Sequence, residues 1–187
     1  MLESGDLKKG VKLEIDGDPY VIVQFDFVKP GKGQALYKCK LKNMLSGALI
    51  DRTFRSNEKF TEASLEEHEM EFLYGEGSNF CFMNTSTYVQ EFMTDSQVGE
   101  AKAFLKENTV CSVLFFQGRP IGITLPNFVD LRITQTDPWV KGDTAGGSTK
   151  PATLETGYVL QVPPFIEEGE MVRIDTRTGS YVERVKG

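Results

Sequence analysis

Residues 19–42 read PYVIVQFDFVKPGKGQALYKCKLK, and this stretch decides the fold class. The first run, PYVIVQFDFV, is rich in β-branched and aromatic side chains, which favour strands. In the last run, ALYKCKLK, apolar residues alternate with lysines, which is typical of a strand with one buried face. Proline and glycine between the runs are turn residues. The stretch therefore predicts a β-hairpin whose apex holds Lys32 between Gly31 and Gly33, just after Pro30.

Two interpretations of Lys32 are open at this point. A lysine on a tight turn often serves only as a solubilising group, whereas flanking glycines remove steric bulk and permit close approach to another surface. A phosphate-binding P-loop is excluded, because PGKGQ lacks the G-x-x-x-x-G-K-[ST] spacing and leads into a strand rather than a helix. Residues 142–150, GDTAGGSTK, fail the same test, and we predict a mobile surface loop there.

The charge of the chain is distributed unevenly. The net charge is −6 and the pI is near 5.0. Residues 1–63 nevertheless carry 11 Lys+Arg against 9 Asp+Glu, while residues 64–127 carry 3 against 9 and residues 128–187 carry 7 against 9. No acid lies between Asp26 and Asp51, where five lysines crowd together: Lys29, Lys32, Lys38, Lys40 and Lys42. An acidic chain with such a basic patch remains able to contact a phosphate backbone.

The rest of the chain predicts further short strands separated by turns. Examples are HEMEFLYGEGSNFCFMN, TVCSVLFFQGRPIGITLP, NFVDLRITQT and GEMVRID. One helix is predicted over residues 95–107, with Asp95 as its cap and an apolar face formed by Val98, Ala101, Phe104 and Leu105. Strands without βαβ alternation indicate an all-β chain of small barrels or sandwiches. We place boundaries so that the pieces are residues 1–63, 64–127 and 128–187.

Catalytic and metal-binding patterns are not found. The only histidine, His68, lies in the acidic stretch LEEHEME, and a surface role is favoured over a general base. No C-x-x-C, H-E-x-x-H or G-x-S-x-G motif occurs, so we expect no metal and no cofactor. The three cysteines, Cys39, Cys81 and Cys111, are predicted to be buried free thiols. A binding protein is therefore favoured over an enzyme.

No run of apolar residues is long enough for a membrane span, and residues 1–10 lack the apolar centre of a signal peptide. These features predict a cytoplasmic protein without a membrane partner.

Three segments of the chain resemble bacterial translation elongation factor P. They are FVKPGKGQALYKCKLKNMLSGALIDRTFRSNEKF, PNFVDLRITQTDPWVKGDTAGGSTKPATLETG and VPPFIEEGEMVRIDTRTGSYVERV. The resemblance implies an N-terminal SH3-like barrel of the KOW type followed by two OB-fold barrels, in an L-shaped, tRNA-like molecule. It also implies a factor that binds the ribosome beside peptidyl-tRNA and relieves stalls at consecutive prolines. The lysine matching Lys32 then reaches toward the peptidyl-transferase centre and is a target for a lysine-modifying enzyme.

Further site residues follow from this resemblance and from the charge pattern. Lys29, Lys38, Lys40 and Lys42 are candidates for RNA contact, together with Arg177, Tyr181 and Arg184 near the C-terminus. Arg177 is predicted in the turn between the last two strands, and Tyr181 and Arg184, three residues apart, are predicted on opposite faces of the last strand.

The stretch Gly99, Glu100, Ala101, Lys102 stands where the family has a Gly-Asp-Asn-Ala-like loop near the mRNA. Here a methyl group replaces an amide and a lysine is added, so a helix turn that packs or faces solvent is an equal alternative.

Two other functions remain open. An OB-fold protein that binds single-stranded nucleic acid would need a basic groove, against which the acidity of residues 64–127 counts. An enzyme hidden in a β-barrel would need a nucleophile and base that the sequence does not reveal. We expect a monomer, because a tRNA-like shape must fit one slot of the ribosome.

Overall fold

The computed structural model describes residues 1–140 and 148–186, and it is built almost entirely from strands. Within that part of the chain the strands are β1 Leu2–Glu3, β2 Lys12–Ile15, β3 Asp18–Val28, β4 Leu36–Asn43, β5 Leu49–Arg55, β6 Lys59–Glu62, β7 Leu65–Glu76, β8 Asn79–Asn84, β9 Gln90–Thr94, β10 Val110–Phe116, β11 Arg119–Thr124, β12 Phe128–Thr136, β13 Lys150–Leu154, β14 Val159–Val162, β15 Met171–Asp175 and β16 Ser180–Val185. The helical segments are the 3₁₀ turns Ser4–Asp6 and Gly99–Phe104 and one α-helix, α1, Asp95–Val98. The predicted loop at residues 142–150 falls largely outside the described residues.

Two compact units divide the chain. The first comprises Met1–Glu66 with Leu114–Ile121, and the second comprises Glu67–Val113 with Gly122–Gly187. None of the described helices has the length and apolarity needed to cross a membrane.

The N-terminal sheet has six strands in the order β1-β6-β2-β3-β4-β5. Its core is a small apolar cluster: Leu7, Leu13, Ile22, Cys39, Leu41 and Phe60. Strands β3, β4 and β5 are longer than the others in this sheet and pair along most of their length, from Tyr20 opposite Asn43 to Val28 opposite Leu36. They form an arm at whose end β3 turns into β4, so the predicted hairpin is confirmed.

The other two sheets share one topology. The middle sheet has the order β11-β10-β7-β8-β9, and the C-terminal sheet has the order β14-β13-β12-β15-β16. Numbered along the chain within each sheet, both place the first strand at the centre, with the second and third on one side and the fourth and fifth on the other. In the C-terminal sheet the edge strands β14 and β16 also lie next to each other, which curls the sheet toward a barrel.

The predicted helix over residues 95–107 is wrong in length and in its cap. The α-helix ends at Val98, because Gly99 takes φ 62° and ψ −140°, and a 3₁₀ segment follows. The cap is Thr94 rather than Asp95. Its hydroxyl accepts a hydrogen bond from the Gln97 amide at 3.3 Å, and the Gln97 side chain accepts one from the Thr94 amide at 2.9 Å. Val98, Phe104 and Leu105 are nevertheless buried as predicted.

Candidate nucleic-acid interface

The apex loop, residues 29–35, connects β3 to β4 and carries Lys32 at its centre. Its residues are exposed apart from Ala35, which is half-buried. No hydrogen bond or ion pair joins any of them to another described residue. The pairing between β3 and β4 ends at Val28 and Leu36, just before the loop. Gly33 has φ 122°, a left-handed value that residues with a Cβ rarely adopt. The loop thus presents Lys32 between two glycines on a narrow tip, with Lys29 at its base.

The lysine face, which we define as Lys38, Lys40 and Lys42 on β4, lies on one side of the arm. Between these lysines Cys39 and Leu41 are buried with 2% and 0% exposure, so the predicted alternation is confirmed. None of the three lysines forms an ion pair with a described residue. Their charges are available to a ligand.

Folding corrects one expectation about the lysine face. The run without acids in the sequence does not become a surface without acids, because Asp26 lies opposite Lys38 and Asp51 lies opposite Lys40 on the neighbouring strands. Residues directly opposite in an antiparallel sheet share a face. The same face holds a shallow groove of about 370 Å³, lined by Gln24, Asp26, Lys38, Cys39, Lys40, Asp51, Arg52 and Thr53. The face is therefore zwitterionic, with cations in excess.

Two residues of the arm were not singled out from the sequence. Arg55 lies opposite Leu36, next to the apex loop, and its guanidinium has no partner among the described residues. Phe27 lies one residue before the end of β3 and is 53% exposed. Residues 49–55, LIDRTFR, alternate in the direction of their side chains. This alternation places Arg55 on the face of the lysines only if β5 is known to pair with β4, and the sequence alone does not show that pairing.

Arg177 lies in the turn between β15 and β16, as predicted. Its Nε and Nη2 donate hydrogen bonds to the two carboxylate oxygens of Asp175 at 3.0 and 2.9 Å. Its guanidinium also lies 5.4 Å from the ring centroid of Phe128. The hydrogen bond to Asp175 raises the pKa of Arg177, and the same bond lowers the pKa of Asp175. The arginine is held in one orientation, while its Nη1 donates no hydrogen bond to a described residue.

The prediction that Tyr181 and Arg184 face opposite sides of β16 is wrong. On β15, Ile174 lies opposite Tyr181, Arg173 opposite Glu183 and Val172 opposite Arg184. Val182 is the extra residue of a β-bulge, which shifts the alternation by one. Tyr181 and Arg184 therefore share one face of β16. Their partners on β15, Ile174 and Val172, are both fully buried.

These two C-terminal residues differ in freedom. Tyr181 is half-buried against the C-terminal core, and this burial raises the pKa of its phenol. Arg184 pairs with Glu170 at 2.7 Å, and its guanidinium lies 5.2 Å from the ring centroid of Phe165. Tyr181 thus packs against the core and keeps part of its surface accessible, while Arg184 presents an oriented cation at the surface.

The segment Gly99, Glu100, Ala101, Lys102 has structural roles in the described chain. The positive φ of Gly99 ends α1, and Lys102 Nζ contacts both carboxylate oxygens of Asp95 at 3.0 Å. Just beyond the segment, Phe104 enters the apolar cluster of the C-terminal sheet and meets Tyr158 edge to face at 4.9 Å between ring centroids.

Among residues 1–140 and 148–186, no group of three or more His, Cys, Asp or Glu side chains is arranged to hold a metal ion. Cys39, Cys81 and Cys111 are free and buried, which confirms the prediction made for them. Burial raises the pKa of Cys111 to about 11, which disfavours the reactive thiolate.

Comparison with known proteins assigns the chain to a family. The models named "Elongation factor P (EF-P) KOW-like domain", "Elongation factor P (EF-P) OB domain" and "Elongation factor P, C-terminal" match residues 3–60, 65–123 and 129–184. The chain belongs to the elongation factor P family. It is thus a translation elongation factor, and the family resemblance seen in the sequence is confirmed. The three matches fall within the predicted pieces, whose boundaries stay a prediction.

Relatives match over the full length of the chain. Elongation factor P of Desulforapulum autotrophicum is 70% identical over 99% of both chains. Elongation factor P of Desulfosudis oleivorans is 67% identical over 100% of both. A solved structure, eukaryotic translation initiation factor 5A from Methanococcus jannaschii, is similar with a TM-score of 0.57 and 21% identity, covering 66% of this chain and 91% of that one. This likeness concerns the fold alone. Together with the domain models it confirms the all-β prediction with a KOW-like barrel followed by OB-type barrels.

Proposed function

We propose that the protein binds the ribosome beside peptidyl-tRNA and promotes peptide-bond formation at stalled polyproline sequences, with Lys32 directed toward the peptidyl-transferase centre. The observation that carries this proposal is the apex loop. In a translation elongation factor, it presents Lys32 at the tip of a three-stranded arm, with no hydrogen bond or ion pair to other described residues. The flanking Gly31 and Gly33 keep the tip narrow enough for a crowded RNA cleft.

Lys32 acts by position rather than by proton transfer. A lysine side chain offers three donors on a flexible stem, which suits phosphates and 2′-hydroxyls at the acceptor end of a tRNA. Peptidyl-proline is a poor donor of its peptide, and orienting its ester for attack by the incoming aminoacyl group accelerates the reaction without an acid or base from this protein. The ribosome remains the catalyst.

The remaining cations bind the RNA backbone. The lysine face with Lys29 supplies charges that no described acid pairs directly, although Asp26 and Asp51 moderate the local field. At the other end of the chain, Arg177 and Arg184 present oriented guanidinium groups, which suit phosphate oxygens. Gly99, Glu100, Ala101 and Lys102 stay candidates for an mRNA contact, although their structural roles are sufficient to explain them.

Three further features complete the proposal. Lys32 is the substrate of a lysine-modifying enzyme, since its exposed loop is accessible to another active site. The protein acts as a monomer, and it acts in the cytoplasm, where the ribosomes are.

The test is synthesis of a triproline-containing peptide on purified ribosomes, with and without the wild-type protein, beside co-sedimentation with ribosomes. We expect the protein to co-sediment and to raise the yield of the triproline peptide while leaving a proline-free control peptide unchanged. Equal yields of both peptides with and without the protein would contradict the proposal.

A second candidate function rests on the middle sheet. Tyr74, Cys81 and Phe92 are successive cross-strand partners, and both aromatic rings are exposed, as in OB-folds that stack single-stranded bases. The excess of 9 acids over 3 cations in residues 64–127 disfavours it. Binding of a single-stranded oligonucleotide with an affinity equal to that for ribosomes would support this alternative.

A further inference from the structure

A series of aromatic rings runs along the arm from the N-terminal core toward the apex loop. It begins at the buried Phe60, whose ring meets Phe54 edge to face at 4.7 Å between centroids. Across the sheet, Tyr37 lies opposite both Phe54 and Phe27. The rings of Tyr37 and Phe27 meet edge to face at 5.1 Å, and Phe25 lies 6.3 Å from Tyr37. The series ends at Phe27, one residue before the last pair of the ladder.

The exposure of Phe27 requires an explanation. Alternation places it on the same face as the core residues, but the arm has already left the core, and 53% of its surface remains exposed. Burial of its own area therefore stabilises little. Its ring meets that of Tyr37, and aromatic pairs of this geometry stabilise beyond the area they bury. The ring therefore serves the local shape of the arm.

The apex loop depends on the arm for its direction. Residues 29–35 make no hydrogen bond or ion pair with other described residues, so nothing within the loop fixes Lys32. The direction of the loop is set by the last two rows of the arm, which are Phe27 with Tyr37 and Val28 with Leu36. The second of these rows is apolar but contains no ring.

We infer that Phe27 is a positioning residue for Lys32: its ring locks against Tyr37, fixes the end of the arm and thereby fixes where Lys32 points. The inference rests on the proposed function of Lys32. Phe27 itself touches neither the tRNA nor the reacting atoms. Orientation is sensitive to small displacements, because misplacement of a reacting group by about 1 Å lowers rates by on the order of a hundredfold.

The first test separates rate from binding. We expect Phe27→Ala to lower maximal stimulation of triproline synthesis by on the order of tenfold, while the concentration for half-maximal stimulation and the melting temperature change little. Phe27→Tyr keeps the ring and should retain most of the stimulation. The matched control is Tyr88→Ala, because Tyr88 is 71% exposed and has no ring contact among the described residues. It should behave as wild type.

The second test uses the free protein and does not depend on the ribosome. Backbone amide relaxation measured by nuclear magnetic resonance reports order parameters for Gly31, Lys32, Gly33 and Gln34. We expect these values to fall clearly in Phe27→Ala, toward the range below about 0.6 that marks a flexible backbone, and to recover in Phe27→Tyr. Values unchanged from wild type would overturn the inference.

These measurements separate the positioning role of Phe27 from the proposed function in triproline synthesis. If wild-type protein failed to stimulate triproline synthesis, the proposed function would fall, and the relaxation data would still decide whether Phe27 restrains the loop. If wild type stimulated and Phe27→Ala did so equally, only the positioning role would be overturned. A loss of ribosome affinity in Phe27→Ala with unchanged loop order would show instead that the ring contacts RNA directly.

Discussion

The apex loop and the C-terminal sheet present their cations in different ways. In the apex loop Lys32 has no partner among the described residues, and the loop around it makes no hydrogen bond to the rest of the described chain. In the C-terminal sheet Arg177 and Arg184 are each held by an acid, at 2.9 and 2.7 Å, and each lies against a phenylalanine ring. The side chain of Lys32 is therefore free to change its direction, whereas the guanidinium groups of Arg177 and Arg184 are held in fixed orientations.

This difference follows from the chemistry of the side chains. A lysine is a compact charge on a flexible stem, and it keeps its freedom until it meets a partner. A guanidinium is planar, so an acid on one edge and a ring beneath it fix the plane and leave other donors directed outward. We therefore expect changes at the apex loop to alter the rate of peptide-bond formation, and changes at the C-terminal arginines to alter binding.

The largest expected effect is that of Lys32→Ala. The variant should fold, because substitutions at exposed positions usually change stability by no more than about 0.5 kcal/mol. It should keep most ribosome binding, because the lysine face and the arginines remain. Stimulation of triproline synthesis should fall to near background. Lys32→Arg should also fail, because a guanidinium keeps the charge but has another shape and does not accept a lysine-directed modification.

The matched control for Lys32→Ala is Lys29→Ala. It removes an equal charge from the same loop, three residues away, and should retain most of the stimulation. The intact mass of protein from its native host checks whether Lys32 is modified. Wild-type stimulation by Lys32→Ala, with no added mass on the native protein, would reduce Lys32 to a solubilising residue.

The next largest effects are expected from alanine substitutions at two glycines, Gly179 in the C-terminal sheet and Gly33 in the apex loop. A Cβ on Gly179 would lie 2.6 Å from Tyr158 Oη and 3.4 Å from the Phe104 ring, and its φ is 74°. A Cβ on Gly33 would meet only Pro30, at 4.0 Å. We expect Gly179→Ala to destabilise the fold by about 2 to 3 kcal/mol through crowding and left-handed strain, measured by urea denaturation. Gly33→Ala should lower the urea midpoint much less, because the apex loop makes no hydrogen bond to other described residues and can relieve the strain of φ 122° by changing its backbone. That change in the loop should lower stimulation severalfold.

The control for the loop glycine is Gly31→Ala, since Gly31 has no positive φ and a Cβ at this position would have no atom within 4 Å. It should leave the urea midpoint at the wild-type value. Its effect on stimulation measures the added methyl group alone, so a larger loss in Gly33→Ala is due to the change in the backbone. Equal urea midpoints for Gly179→Ala and wild type would show that the turn between β15 and β16 is as unconstrained as the apex loop. The difference drawn between the apex loop and the C-terminal sheet would then be wrong.

The regular strand β4 shows what the sequence could predict. Its lysines alternate with Cys39 and Leu41 without interruption, so period two alone identified both faces. The acids beside those lysines could not be predicted, because Asp26 and Asp51 come from other strands whose pairing depends on the tertiary fold.

Irregular positions explain the errors. The extra residue Val182 moves Arg184 to the face of Tyr181, and a bulge has no reliable signature in one sequence. The helix was predicted too long because Ala101, Phe104 and Leu105 continue an apolar period beyond Gly99. The sequence did contain a better signal, since Thr94 and Gln97 have the spacing of a capping box and Gly99 follows at once.

Smaller than the effect of Gly179 is the expected effect of the arginines. We expect Arg177→Ala and Arg184→Ala each to weaken ribosome binding by about tenfold, or roughly 1.4 kcal/mol, as for loss of one charge-assisted hydrogen bond. The maximal stimulation at saturating protein should remain near wild type. Quantitative co-sedimentation measures the affinity, and triproline synthesis measures the stimulation.

Arg173→Ala is the matched control for the arginines. Arg173 uses Nε and Nη2 on Asp130 and Nη1 on Glu183, so its guanidinium is occupied on both edges. It should bind ribosomes with nearly wild-type affinity. An equal loss in all three variants would mean that total charge, rather than the oriented donors of Arg177 and Arg184, determines binding.

The smallest expected effect concerns the carboxylate that orients Arg177. The hydrogen bond from Arg177 lowers the pKa of Asp175 below its usual value of 3.8. A depressed pKa in the folded state stabilises the fold above that usual value, and the stabilisation is lost as the pH falls through the lowered pKa. Asp175→Asn should therefore melt slightly below wild type at neutral pH, and the difference should shrink to nothing under strong acid. The effect is small because Arg177 is well exposed to solvent.

Thermal melts of wild type and Asp175→Asn between about pH 7 and pH 2 measure this difference. The control is Asp137→Asn, because the carboxylate of Asp137 has no partner among the described residues. A melting difference that persisted unchanged in strong acid would show that the Asp175 carboxylate does not hold Arg177 by charge.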